Sequence, residues 1–181
     1  MSAPVGALRR AGTDELSATT LAVVRQLMDD AFEGDFSDHD WDHGLGGTHV
    51  LIEEDGDVLA HASVVERTLE VDGRAFRTGY VESVAVPPAR QRERLGSRVM
   101  SEVDAVIREG FELGALGASY PEFYETLGWE RWQGPTYARD GIALLRTEDD
   151  DGWVMVLRFG PSDGLDLAAP ITCETRPGDD W

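Results

Sequence analysis

The sequence predicts a mixed α/β (α+β) domain spanning residues 1–181, with a central, mostly antiparallel sheet flanked by helices. Three observations carry that expectation. Helical apolar spacing near the N-terminus gives way to a meander of hairpin-joined strands. A strand–helix–strand–helix–strand pattern follows. Between the two, the β-branched run Val81-Glu82-Ser83-Val84-Ala85-Val86 enters the Arg/Gly loop Gln91-Arg92-Glu93-Arg94-Leu95-Gly96, which opens a long amphipathic helix.

The elements follow in order. Ser17 to Phe32 reads as a helix with Leu21, Val24, Met28 and Ala31 on one face. Ser37 suits the cap of a short second helix through His43, with Asp38 and Asp40 in its first turn, and Gly44 to Gly47 breaks it. Thr48 to Glu53 and Val58 to Glu66 flank Glu54-Asp55-Gly56-Asp57, a hairpin signal. Asp72-Gly73 marks a second turn, between Thr68–Val71 and Arg74–Val86. Pro87-Pro88 ends that strand. Ser97 to Glu112 is helical, with Val99, Met100, Val103, Val106, Ile107 and Phe111 facing the core. Leu113 to Ser119 is a short strand, and Pro121 starts a helix through Leu127 that Gly128 closes. Trp129 to Tyr137 and Trp153 to Phe159 complete the strands.

Charge narrows the function. The formal net charge is -19, and every one of the 16 basic residues is arginine. Nucleic acid is excluded as a partner, because phosphate-backbone affinity needs basic surface. Lysine chemistry is excluded outright. No apolar run reaches the roughly 20 residues of a membrane helix, no signal peptide is visible at the N-terminus, and Cys173 is the lone cysteine. A cytoplasmic location is expected. Acidic residues cluster at 29–42, at 148–151 and at the C-terminus. If the clusters converge they make a pocket for a polycation; if not, they are solvated faces. His39 and His43 stand four apart beside Asp42, a possible metal spacing, but surface histidines are commoner and no metal is expected.

The loop at 91–96 resembles the acetyl-CoA loop of the GNAT superfamily of N-acetyltransferases: Gln/Arg, two free positions, Gly, one free position, Gly/Ala. Arg94 stands where that family usually has glycine. Phe123-Tyr124-Glu125-Thr126-Leu127-Gly128-Trp129 continues the likeness. The sequence is further similar to one branch, the aminoglycoside 2′-N-acetyltransferases. That likeness runs through Ala31-Phe32-Glu33-Gly34-Asp35-Phe36, Asp40-Trp41-Asp42-His43-Gly44-Leu45-Gly46-Gly47 and Gly79-Tyr80-Val81-Glu82. It continues in Leu113-Gly114-Ala115-Leu116, Gly134-Pro135-Thr136, Asp149-Asp150-Asp151-Gly152 and Gly178-Asp179-Asp180-Trp181. Residues 160–176 match least.

The resemblance implies acetyl-CoA as donor, an aminoglycoside as acceptor and a homodimer. Thioester acetyl transfer needs a neutral amine, a polarised carbonyl and a proton for the leaving thiolate. Glu82, with Val84 and Val86 on one side of its strand by alternation, is costly to bury and should face a cleft or a bulge. It suits a general base, directly or through water; an ion pair with Arg77 is the alternative. The family assigns Tyr124 the general acid, against a packed aromatic with its hydroxyl bonded to backbone. The resemblance also implies that Val84, Ala85 and Val86 pair their backbone with the pantetheine arm, one N–H polarising the acetyl carbonyl. Gln91, Arg92, Glu93, Arg94, Leu95 and Gly96 would wrap the pyrophosphate at a helix N-terminus. For the acceptor, the branch nominates Asp35, Asp40, Glu82, Ser83, Gly117, Asp149, Asp150, Asp179 and the Trp181 carboxylate. Gly117 offers only backbone. Acetylation of another cation, such as a polyamine or cell-wall precursor amine, and a catalytically silent binding module are the competing readings.

Overall fold

The computed structural model describes residues 6–91 and 93–181. Two compact units share the chain, one reaching Val65 and resuming over Val81–Val106, the other made of Glu66–Tyr80 and Ile107–Trp181. The first holds β1 (Ala7–Gly12), α1 (Ala18–Ala31), α2 (Asp38–His43) and β2 (Thr48–Glu54). It also holds the first part of β3 (Asp57–Val71), the end of β4 (Arg74–Ala85) and most of α3 (Leu95–Gly110). β1 pairs antiparallel with β2, and β2 with β3. The β2–β3 hairpin closes on Asp55 (φ 54°) and Gly56 (φ 92°), the paired left-handed residues that a tight two-residue loop requires.

Ser17 caps α1 by accepting the Thr20 N–H at 3.0 Å. The helix buries Val24, Leu27 and Met28 against Leu16, Phe36, Leu51, Val58 and Ala85. Burial of each large aliphatic contributes about 1.5–3 kcal/mol, so this face rather than helix propensity holds α1. α2 carries the expected cap in full. Ser37 Oγ accepts the Asp40 N–H at 3.1 Å, and Asp40 Oδ2 accepts the Ser37 N–H at 2.8 Å.

The second unit adds β5 (Leu113–Gly117), α4 (Pro121–Glu125), β6 (Glu130–Arg131), β7 (Thr136–Asp140), β8 (Ala143–Arg146), β9 (Val154–Leu157) and β10 (Ile171–Glu174). Parallel pairing joins β4 to β5 and β10 to β7. The pairs β5–β9, β6–β9, β7–β8 and β10–β3 are antiparallel. Strand order along the sheet is β6-β9-β5-β4-β3-β10-β7-β8, a mixed, mostly antiparallel arrangement as expected. Leu113, Ala115, Leu116, Trp132, Val154, Met155 and Val156 are fully buried in this unit.

Several expectations are corrected. The strands expected at 58–66 and 68–71 are one, β3, continuous through Arg67. The strand expected over Trp129–Tyr137 is two, β6 and β7. A Cβ at Gly134 would lie 2.0 Å from the Ala169 carbonyl oxygen, so the chain there packs against another backbone segment instead of pairing. The long helix begins at Leu95 and ends at Gly110, and α4 stops at Glu125, with Gly128 (φ 91°) closing the turn. Strands β1, β8 and β10 were not anticipated.

Candidate active site

In the first unit several of the expected site residues lie together at the end of β4. Ser83 has φ 53°, a left-handed conformation inside a strand, so the simple alternation expected of Glu82, Val84 and Val86 is broken there. Two consecutive β4 carbonyls take hydrogen bonds from β3 side chains. Ser63 Oγ donates to the Glu82 carbonyl at 3.3 Å, and His61 Nδ1 donates to the Ser83 carbonyl at 2.8 Å. The Ser83 hydroxyl is buried beside Gly44, where a Cβ would stand 2.6 Å from it. Any acceptor contact from Ser83 therefore comes through its backbone. Glu82 is half-buried at the bulge. Arg77, in the second unit, donates to Glu66 Oε2 at 2.6 Å and to the Gly110 carbonyl. Pairing of β4 with β5 covers only Thr78, Gly79 and Tyr80, and Val84, Ala85 and Val86 come after it.

The Arg/Gly loop follows. Arg90 Nε grips both Glu93 carboxylate oxygens, at 2.8 and 2.9 Å, and this hydrogen bond holds the Glu93 carboxyl below its usual range. The acid in the loop is thereby neutralised by its neighbour. Arg94 has φ 61°, which explains why glycine is usual at this position: the chain must pass through a left-handed conformation to enter α3. Gln91, Glu93 and Arg94 are exposed, Leu95 is buried and Gly96 half-buried. The first N–H groups of α3 have no intrahelical partner and carry partial positive charge, which suits a pyrophosphate. Arg92 lies outside the described residues.

In the second unit, two of the acidic runs converge. Burial raises the Asp150 carboxyl; a Thr147 hydrogen bond opposes this, and the charges of Asp179, Asp180 and Asp149 raise it further. The C-terminal strap is fastened by several donors. Arg67 gives Nη1 to the Asp180 carbonyl at 2.8 Å and Nη2 to the Glu174 carbonyl at 2.9 Å, while its guanidinium lies over the Tyr80 ring at 4.7 Å. Trp181 Nε1 donates to Thr147 Oγ1 at 3.1 Å, tying the chain end to the 148–151 loop. A Cβ at Gly117 would stand 3.3 Å from the Trp181 backbone carbon, so this glycine leaves room for the Trp181 backbone to approach closely. Asp151 is engaged by other partners: Arg146 pulls its carboxyl down to about 2, and the pair braces Thr136.

Tyr124 lies on α4, half-buried, with Phe123 and Trp129 rings 5.0 and 6.4 Å away. Burial pushes its phenol up to about 12, so it carries its proton at neutral pH. In the first unit, Asp35 is exposed and Asp40 commits Oδ2 to the α2 cap, leaving Oδ1 for other contacts. No group of three or more His, Cys, Asp or Glu could hold a metal among the described residues, and no helix there is long and apolar enough to cross a membrane.

Residues 13–132 match the family described as an acetyltransferase (GNAT) domain. The chain belongs to the GNAT family of acetyltransferases, whose acetyl donor is acetyl-CoA. Its curated relatives include an aminoglycoside 2′-N-acetyltransferase from Mycolicibacterium fortuitum, 43% identical over 173 residues, covering 93% of this chain and 89% of that one. Among solved structures it is similar to the GNAT protein YhbS of Escherichia coli, in complex with CoA, with TM-score 0.66 and 16% identity over 96% of this chain and 92% of that one. A GNAT acetyltransferase from Brucella melitensis in complex with acetyl-CoA gives 0.57 and 20%, covering 91% and 94%.

Sequence reasoning missed the supporting parts of this GNAT acetyltransferase. Arg67 and Thr147, which fasten the acidic cluster, gave no local signal because their partners are up to 113 residues away. The buried pair His49 and His61 could have been found. Both sit in otherwise apolar strand segments, where a polar side chain must have a partner.

Proposed function

We propose that this acetyltransferase transfers the acetyl group of acetyl-CoA to the 2′-amine of aminoglycoside antibiotics, inactivating them. The observation that carries the reading is the convergence of Asp149, Asp150, Asp179 and Asp180 in one place, where burial first, and then the neighbouring carboxylate charges, raise the Asp150 carboxyl. Carboxylates crowded at that cost are relieved by a multiply charged cation, and an aminoglycoside supplies several ammonium groups on a rigid frame. The name of the 43% identical relative points the same way. The same reading nominates Asp35, Asp40 and the Ser83 backbone in the first unit, and the Gly117 backbone and Trp181 in the second.

Acetyl-CoA supplies an activated thioester. The α3 N-terminus and its Arg/Gly loop would hold the pyrophosphate, and the β4 backbone from Val84 to Val86 the pantetheine arm. Glu82 takes a proton from the acceptor ammonium, through a water, to free the attacking lone pair. Tyr124 then serves as general acid. A phenol near 12 gives its proton to a thiolate only uphill, by about 3–4 pK units or about 5 kcal/mol. It is therefore best matched to donating a hydrogen bond while negative charge develops on sulfur, the proton following as the bond breaks. A single domain over 1–181, a homodimer and a cytoplasmic location belong to the same reading. The exposed Ile142, Leu144 and Leu145 at the β8 edge favour a dimer.

The test follows free thiol release with acetyl-CoA and paired acceptors. Kanamycin B, with a 2′-amine, should react quickly, and kanamycin A, with a hydroxyl there, should not. Equal rates with both would move the reaction to another amine. Release with polyamines alone would reassign the acceptor, and release with none would leave a silent binding module.

A further inference from the structure

Beneath the β4 bulge runs a buried chain of hydrogen bonds that the reaction as described does not use. His61 Nδ1 lies 2.8 Å from the Ser83 carbonyl, His61 Nε2 lies 2.8 Å from His49 Nδ1, and His49 Nε2 lies 2.7 Å from Thr13 Oγ1. The Gly46 N–H donates to that same Thr13 oxygen at 2.9 Å. Both imidazoles are essentially inaccessible to water. The roles of every atom follow from the one end that cannot vary. A carbonyl only accepts, so His61 must carry its proton on Nδ1. Neutral His61 then accepts at Nε2, His49 must donate from Nδ1 and accept at Nε2, and the Thr13 hydroxyl must donate. A chain ending on a carbonyl conducts no proton out of the protein. It is a tether.

What it tethers is a peptide plane. The Ser83–Val84 amide is planar and trans, so its carbonyl and its N–H point in opposite directions. Anchoring the Ser83 carbonyl on a β3 side chain aims the Val84 N–H away from β3, along the edge of β4. The non-glycine residue at φ 53° that permits this is unfavourable by itself and persists only where its surroundings hold it. We propose that His61, backed by His49 and Thr13, is a positioning residue for acetyl transfer, fixing the Ser83–Val84 peptide so that the Val84 N–H is the donor that polarises the acetyl carbonyl. The proposal rests on β4 as the acetyl-CoA strand and is independent of the acceptor.

Two replacements separate the tether from mere packing. His61→Asn keeps an N–H close to the Nδ1 position and can still reach the Ser83 carbonyl. His61→Gln places its amide near the Nε2 position, toward His49. Removing one aimed donor lowers kcat by about 10²-fold. His61→Gln should show that loss with KM for acetyl-CoA little changed, and His61→Asn should recover most of it. In protein labelled with ¹⁵N-valine, the Val84 amide resonance should move between the CoA and acetyl-CoA complexes in wild type and His61→Asn, and hardly at all in His61→Gln. Equal behaviour of the two folded variants overturns the proposal. Should His61→Gln not fold, the wild-type imidazole ¹⁵N spectrum decides. Protons on Nδ1 of both His61 and His49 support the tether, and a proton on Nε2 of His61 overturns it. Neither spectrum needs an acceptor, so a failure of drug acetylation leaves this test standing.

Discussion

Mild acid should destabilise this protein through His61 in particular. Burial, and then the charge of His49, lower the His61 imidazole from 6.5 to about 3, against a smaller opposing effect from the Ser83 carbonyl. The folded state therefore refuses a proton that the unfolded chain accepts at its ordinary value. Stability is full above pH 6.5, falls as pH drops below it, and levels off only when the folded imidazole titrates near 3. With those two values the loss from pH 7 to pH 5 is about 2 kcal/mol, and at the plateau about 5 kcal/mol. Urea unfolding at pH 7, 6 and 5 would measure it, comparing wild type with His61→Asn, which cannot titrate in this range. The many carboxylates add their own pH dependence, but the two proteins share it. His49 is lowered by burial in the same direction and loses its His61 partner in the variant, so a second pair, His49→Gln with and without His61→Asn, isolates the His61 contribution. The wild type should lose about 2 kcal/mol more than the variant between pH 7 and pH 5. Parallel curves would refute the claim that His61 stays neutral inside the fold.

Four further outcomes are expected. Glu82→Gln should lower kcat/KM by about 10²–10⁴-fold with CoA affinity unchanged, and the loss should shrink as rising pH frees the amine without help. Tyr124→Phe should lower kcat by about 10²-fold at constant KM for acetyl-CoA, read by thiol release. Arg94→Gly should remove left-handed strain worth about 1 kcal/mol, raising the melting temperature, while the lost guanidinium raises KM for acetyl-CoA several-fold. Gly134→Ala should destabilise by about 3 kcal/mol or more in a thermal melt, because its Cβ would meet the Ala169 and Ala168 carbonyl oxygens at 2.0 and 2.6 Å, which are backbone atoms that cannot swing aside.

What the sequence revealed of the fold is what local chemistry decides. Ser37 and Asp40 cap α2 reciprocally because side chains three residues apart can reach each other's N–H. Asp55-Gly56 and Asp72-Gly73 form tight turns because both residues of each pair tolerate positive φ. β1 and β8 were invisible for the opposite reason. Their side chains are mostly exposed, so no alternation marks them, and each exists only because a partner strand, β2 or β7, offers its backbone. Arg67 falls between the two strands expected at 58–66 and 68–71. Its side chain finds the Tyr80 ring and two distant carbonyls, which allows the strand to continue.

The site divides along the same line. The Arg/Gly loop, Glu82 and Tyr124 could be nominated because the order of motifs, through the family resemblance, marks those positions. The acidic runs could be listed, but their convergence could not be read. Asp150 and Asp179 interact where Trp181 bonds to Thr147 and Arg67 holds the Asp180 carbonyl, contacts no sequence pattern announces. Ser83 is the most instructive case. Alternation treats a strand as a two-sided ribbon, and from that rule Ser83 should face opposite to Glu82 and Val84. One left-handed residue cancels the rule, and the carbonyl of that residue is held by a histidine 22 residues away, whose polarity in an apolar strand is the one signal the sequence offers. The residues nominated in β4 can therefore be read from β4 alone, while the hydrogen bonds that hold its Glu82 and Ser83 carbonyls come from β3.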